Sequence, residues 1–374
     1  MKKQFFILLY ISILLPSVAQ PSQKEVSEKV MQQIYEEVKT PYKYGMVTVP
    51  QDDKHLIDCP TVFRMGGKWY MSYIVYDGQQ NEGGRGYETY LAVSDDLLKW
   101  KNLGRILSFS DINGNRWDKN QRAGYVALID YEWGGSYSPE KFKDKYWMSY
   151  FGGESTGYEK GCLQIGMAYT TQNITQAHEW QVFDKPAISP RDSSAAWWEN
   201  ITQYKSFVMR DKKETLGYPF VMFYNAAGIN PENNIKAERI GIALSDDMVH
   251  WHRYPGNPVA NHDEGITGDG VIQKIGDVYI MFYFGAFWKS RKYGAFNTFA
   301  CSYDLVHWTD WKGKDLIYPS EEYDKRYAHK SYVVKWNGVV YHFYCAVNEN
   351  RQRGIALATS KDFGKSCLSF PVKK

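Results

Sequence analysis

Short runs of alternating apolar and polar residues recur along this chain, and five of them share one aromatic pattern. They read KWYMSY at 68–73, KYWMSY at 145–150, PFVMFY at 219–224, VYIMFY at 278–283 and VVYHFY at 339–344. Alternation over so few residues predicts half-buried strands. A second run follows each, as in YLAVSDDLLKW at 90–100, IGIALSDDMVHW at 240–251 and FACSYDLVHW at 299–308. In these the alternation stops at a Ser/Asp cluster, which marks a turn, and four of the five close on Trp. A third β-like run (PTVFRM, YVALID, KSFVMR, GVIQKI, SYVVKW) precedes each aromatic strand.

The final tyrosines, Tyr73, Tyr150, Tyr224, Tyr283 and Tyr344, lie 77, 74, 59 and 61 residues apart. A meander of about four strands, repeated five times at that interval, predicts blades stacked radially around an axis. The expected fold is an all-β, five-bladed β-propeller over residues 46–374. Closing such a ring needs a strand from the chain's beginning, for which Met46–Val49 is the candidate. Residues 20–45 differ: Val26, Val30, Ile34 and Val38 recur at helical spacing, and Thr40-Pro41 ends the pattern. This short helical segment offers its apolar stripe to the sheets or to a second copy in a homodimer. Residues 1–19 read as a signal peptide, with Lys2 and Lys3, an apolar run from Phe5 to Leu15 and a small-residue cleavage site ending at Ala19. The expectation is a secreted or periplasmic protein. No later stretch is long and apolar enough for a membrane-spanning helix.

Charge narrows the partners. The formal net charge is +3, and loss of the two signal-peptide lysines leaves +1. A nucleic-acid binder would show a basic surplus. Aromatic residues make up 16% of the chain, with 13 Trp and 30 Tyr. Such rings suit both pleated-sheet packing and stacking against sugars. The five cysteines, Cys59, Cys162, Cys301, Cys345 and Cys367, have no CxxC spacing and suggest no zinc site.

In a propeller the first strand of every blade lines the axis, so polar residues at its start converge. Asp58 lies twelve residues before Tyr70, and His329 twelve before Tyr341, which puts them in one slot of two blades. Asp269 lies ten before Tyr279, one strand period away, and is expected to face the same side. These three are the candidate catalytic residues. Glu199, Lys205, Glu264, Arg122 and Lys330 stand nearby as candidate substrate-binding groups. Each also has a plainer role open to it: Asp58 could cap a turn before Cys59-Pro60, Asp269 could serve turn chemistry between two glycines, and His329 could be a hydrogen-bonded structural residue.

The stretches IDCPTVF…GGKWYMSY, SDDLLKW and AHKSYVVKWNGVVYHFY resemble the five-bladed glycosidases of glycoside hydrolase families 43 and 117, over residues 55–366. The turn motif is shared with the phosphorylases of family 130. Family 43 implies an aspartate base in blade one, an aspartate in blade three and a glutamate acid in blade four. Asp58 matches the first, Tyr204 or Lys205 stands in the second place, and the third is unmatched. Family 117 implies two aspartates and a histidine, which Asp58, Asp269 and His329 match. By that resemblance Asp58 is the general base for water, His329 the general acid with its pKa raised by neighbouring carboxylates, and Asp269 the group that orients. It also implies a dimerising N-terminal segment. No cofactor is expected; related propellers hold a divalent cation near the axis through a blade-five histidine, the position of His329. The expected function is exo-acting, inverting hydrolysis of a plant or algal polysaccharide-derived oligosaccharide. The alternatives are a phosphorylase, with Arg122, Lys205 or Lys330 on phosphate, and a non-catalytic glycan-binding propeller.

Overall fold

A computed structural model describes residues 25–78 and 83–372. The predicted signal peptide therefore lies outside the described residues. Apart from one α-helix and a single 3-10 turn, the regular structure is strand. The strands form antiparallel meanders in the order read from the sequence. Leu56–Met65, Lys68–Tyr76, Tyr87–Ser94 and Lys101–Leu107 make one four-stranded sheet. Gln121–Val126, Tyr146–Gly153, Gln164–Thr170 and Gln181–Val182 make the next. The following two meanders begin with Thr202–Arg210 and Ile266–Ile275. They are fused into one eight-stranded sheet by a single parallel pairing, Glu238 to Ile266. Tyr327–Trp336, Val339–Val347 and Arg353–Thr359 make the last sheet. Its fourth strand is Tyr42–Thr48, antiparallel to Arg353–Thr359. The closing strand thus begins four residues earlier than Met46. The first strand of each meander packs against the neighbouring meanders, and Tyr327–Trp336 meets Leu56–Met65.

Three devices hold the meanders, two of them repeated. The first is the Ser-Asp turn. Ser94 Oγ accepts the amides of Asp96 and Leu97, Leu97 takes a left-handed conformation (φ 66°), and Trp100 Nε1 donates to the Leu97 carbonyl. Ser245–Met248–Trp251 and Ser302–Leu305–Trp308 repeat the arrangement, with φ of 69° at both Met248 and Leu305. The closing Trp is therefore a lid on its own turn as well as a core residue.

The second device explains four of the five final tyrosines. Tyr150 donates to Asp118 at 2.8 Å, Tyr224 to Glu199 at 2.9 Å, Tyr283 to Asp310 at 2.9 Å and Tyr344 to Asp324 at 2.8 Å. A buried phenol needs an acceptor, and a carboxylate is a strong one. Three pegs tie the aromatic strand to segments outside its sheet, and the fourth ties Tyr283 to the short edge strand Thr309–Asp310 of its own meander.

The third device is the helix. Helix α1 (Glu28–Val38) is capped by Ser27, whose hydroxyl accepts the Val30 amide. Met31, Ile34 and Val38 are buried, Val30 partly so, and Tyr35 stacks on Trp311 with ring centroids 4.8 Å apart. Glu37 accepts from Trp133 Nε1 at 2.7 Å and pairs with Lys335. The apolar stripe is covered by the chain's own sheets.

Glu199 is fully buried and also takes Arg253 Nε at 2.8 Å and Gln203 Nε2 at 3.0 Å. Glu199→Ala strips the buried Tyr224 phenol of its acceptor and leaves Arg253 with Asp192 as its carboxylate, a change that costs about 1–3 kcal/mol for an unpaired buried group. The expected outcome is a lower denaturation midpoint in urea, with KM of the folded fraction unchanged.

Candidate active site

Four of the five first strands carry a β-bulge at one point. The pairing register shifts between Asp58 and Thr61, Gln203 and Ser206, Gly268 and Val271, and His329 and Tyr332. Counted back from the strand ends, Asp58, Gln203, Gly268 and His329 share one slot. Cys59, Tyr204, Asp269 and Lys330 share the next. Cys59, Asp269 and Lys330 are left-handed there, at φ of 47°, 55° and 60°. Non-glycine residues adopt this conformation at a cost of about 1–2 kcal/mol each, and such strain gathers at functional sites. A bulge breaks the strict two-residue alternation and re-aims side chains.

The bulges surround a cavity of about 180 Å³. Asp269, His329, Lys205 and Lys330, all singled out in the sequence, line it, as do Cys59, Arg353 and two glutamates, Glu159 and Glu238. The slot assigned to Asp269 is corrected. Tyr279 sits one residue nearer its turn than Tyr70 or Tyr341, so Asp269 occupies the place of Cys59 and Lys330, one residue from the Asp58 slot instead of the full strand period expected. It reaches the cavity because of the bulge.

Asp58 lies beneath the lining. It is fully buried, accepts the Cys59 amide at 2.9 Å, and binds Lys330 Nζ at 2.9 Å and Arg353 Nη1 at 2.5 Å. Burial alone would raise its pKa, but Lys330 and Arg353 outweigh it and hold the carboxyl well below the usual range. It is a fixed negative charge that aims two cations. The general base on water expected at this position needs access to the cavity, which Asp58 lacks.

His329 also departs from expectation. Burial, then Arg353 and Lys330, push its pKa down to about 3. The sequence suggested carboxylate neighbours that would raise it; burial decides, and the cations beside it add to the downward push. Its Nδ1 lies 3.2 Å from the Cys345 carbonyl, so Nδ1 carries the proton and Nε2 is left as an acceptor. Near neutral pH it is an uncharged imidazole, not an imidazolium acid. Among the described residues no three His, Cys, Asp or Glu side chains are grouped as metal ligands.

Three predicted binding groups stand elsewhere. Glu199 is the Tyr224 peg. Arg122 is buried against Asp118 and donates to the Ser108 carbonyl at 2.8 Å. Glu264 accepts the Lys289 amide at 3.0 Å in a loop outside the lining.

The two glutamates were missed. Glu238 stands on Lys236–Ser245, a third strand of its meander, and accepts from Asn225 Nδ2 at 3.0 Å. Glu159 follows the second strand of another meander and lies 3.7 Å from Lys330 Nζ. Burial raises Glu238 to about 8, with Glu159 and Asp269 adding repulsion. Burial also raises Glu159 and Asp269, against the pull of nearby cations. The sequence signal for Glu238 was KAERIGIAL, a strand with a charged residue on its apolar side; attention to first strands alone passed over it.

No family model matches the chain, and no curated protein matches it. Solved structures do. One described as "Glycoside hydrolase" is 60% identical, covers 94% of this chain and all of its own, and superposes with a TM-score of 0.91. Another, a complex of BT0996 and RGII, is 60% identical over the same shares, with a TM-score of 0.92. A family 117 glycoside hydrolase, Zg3597 of the marine bacterium Zobellia galactanivorans, shares the fold at 14% identity and a TM-score of 0.61, covering 87% of this chain and 91% of its own. The chain therefore belongs to the glycoside hydrolases and is an enzyme of that class.

Two variants separate the roles. Glu238→Gln is expected to lower kcat by roughly 10²–10⁴-fold with little change in thermal stability. In the parent, kcat/KM is expected to fall as pH rises through about 8, where Glu238 loses its proton, and the variant's residual activity should lack that limb. Asp58→Asn instead leaves Lys330 and Arg353 buried without their counter-ion. It is expected to lower stability by about 3–5 kcal/mol, measured by urea denaturation, as well as activity.

Proposed function

We propose that this protein is an exported, exo-acting glycoside hydrolase on a five-bladed propeller, removing one terminal sugar with inversion. The observation that carries the reading is the pairing of Glu238 and Glu159 in one small cavity. Glycoside cleavage needs an acid at the leaving oxygen and a second carboxyl across the bond. Glu238 keeps its proton to about pH 8 and suits the acid role. Glu159, with Lys330 3.7 Å away to favour its charge, suits the base that activates water. Asp269, Asp58 and His329 then shape the site: Asp269 orients the sugar, Asp58 holds Lys330 and Arg353, and neutral His329 accepts a hydrogen bond.

Exo-action is supported by size. Sites for drug-sized ligands run to about 300–1,000 Å³. A cavity of about 180 Å³ suits one ring. Successive antiparallel meanders, with the last meeting the first, support the propeller. Residues 1–19 support export. The substrate class is an oligosaccharide from a plant or algal polysaccharide, and RGII, named with the 60%-identical BT0996, is the first source to try.

The experiment is digestion of RGII oligosaccharides and of algal galactan oligosaccharides, with and without phosphate, followed by ¹H NMR of the first product. Release of a single sugar with inverted anomeric configuration, independent of phosphate, is the expected outcome. Retention would make Glu159 a nucleophile rather than a base. Phosphate-dependent release would overturn the hydrolase reading, and binding without product would favour a lectin.

A further inference from the structure

Besides Arg353 Nε, the cavity wall holds three polar atoms that are buried and have no hydrogen-bond partner among the described residues: Lys205 Nζ, Tyr125 Oη and Asn225 Oδ1. All three residues line the cavity. Lys205 is 4% exposed, and Tyr125 and Asn225 are 2% exposed each. Buried polar groups are ordinarily paired, and leaving one unpaired carries the full cost of desolvating it. Three such atoms on one small cavity are complementary to something that supplies both acceptors and donors.

Their placement gives the set a direction. Lys205 Nζ sits 3.9 Å from Asp269 Oδ2 and 5.5 Å from the centre of the Tyr125 ring. Asn225 already spends its Nδ2 on Glu238, which leaves its oxygen for another donor. The set therefore offers an ammonium, a carboxylate, a phenol and an amide oxygen within one wall, a mixture suited to adjacent sugar hydroxyls, each of which both donates and accepts.

Charge limits what sugar can enter. Three cations face or underlie the cavity: Lys205, Lys330 and Arg353. Lys330 and Arg353 are engaged by Asp58, and Lys205 is faced by Asp269. Glu159 and Glu238 add acidity, and no further cation lines the cavity among the described residues. An incoming carboxylate would meet no cation that lacks a carboxylate of the protein beside it.

We infer that Lys205, Tyr125 and Asn225, with Asp269, form a hydroxyl-reading wall that selects a neutral sugar and rejects a uronate. This rests on the hydrolase reading for its setting, but it concerns binding and is tested by binding. A site built to hydrogen-bond a hydroxyl strongly disfavours analogues that lack it.

The test is isothermal titration of the intact protein with free monosaccharides: neutral pentoses and hexoses, their single-deoxy analogues and the matching hexuronic acids. The expected result is that a neutral sugar binds, that at least one deoxy analogue binds roughly 10–100-fold more weakly, and that hexuronates do not bind. Lys205→Met and Tyr125→Phe should weaken the neutral sugar by a similar factor. Tyr125→Phe removes a single oxygen and keeps the ring, so it remains informative if Lys205→Met fails to fold. In one of these variants the deoxy analogue should bind no worse than the parent sugar, because the partner of the missing hydroxyl is already gone. Hexuronate binding equal to or tighter than that of the neutral sugar would overturn the inference. So would binding of no monosaccharide, or binding unaffected by both variants. In each of those cases oligosaccharide hydrolysis could still be intact, so the two readings fail separately.

Discussion

Asp58, Lys330 and Arg353 form the contact on which the site depends. The carboxylate comes from the first sheet and both cations from the last, 272 and 295 residues away. A charge taken so far from water is tolerable only when paired and hydrogen-bonded, and Asp58 has the Cys59 amide as well. The cluster joins the two sheets at the floor of the cavity. It also bears on the state of what lies above: the two cations add to the burial that keeps His329 neutral, and draw Glu159 toward ionisation, against its burial.

From that floor the chemistry divides by distance from positive charge. Glu159 is near Lys330, whereas Glu238 has Asn225 for a hydrogen bond and two acidic neighbours. Burial raises both, Glu238 to about 8. Unequal neighbours around two carboxyl groups of one residue type are the means by which an acid and a base are told apart in one cleft.

The strand repeat was legible in the sequence because each run obeys the two-residue alternation and each turn uses the same Ser-Asp chemistry. Helix α1 was legible for the corresponding reason, although Met31 took the buried place expected of Val30. The site was half legible. Asp269, His329, Lys205 and Lys330 were found by looking ahead of the first strands. Two things defeated the rest. Bulges change which face a residue takes and leave no mark in an alternating pattern, so Asp269 reached the cavity from a slot one residue away. Glu238 and Glu159 come from a third strand and from a loop after a second strand, places that the axial geometry does not single out. Glu199 misled because a buried carboxylate that anchors a tyrosine has the same residue type and neighbourhood as one that moves a proton.

The strand Tyr42–Thr48 lies among the earliest described residues, yet its partner Arg353–Thr359 is made about 300 residues later. At ordinary synthesis rates that is a wait on the order of 15–60 s. Throughout it the early strand has no native edge to join, and the pairing that completes the last sheet spans nearly the whole chain. Asp58 waits equally long for Lys330 and Arg353. Assembly of the cavity floor is therefore a terminal event in biogenesis: a chain cut short before Lys330 has neither a finished last sheet nor a neutralised Asp58.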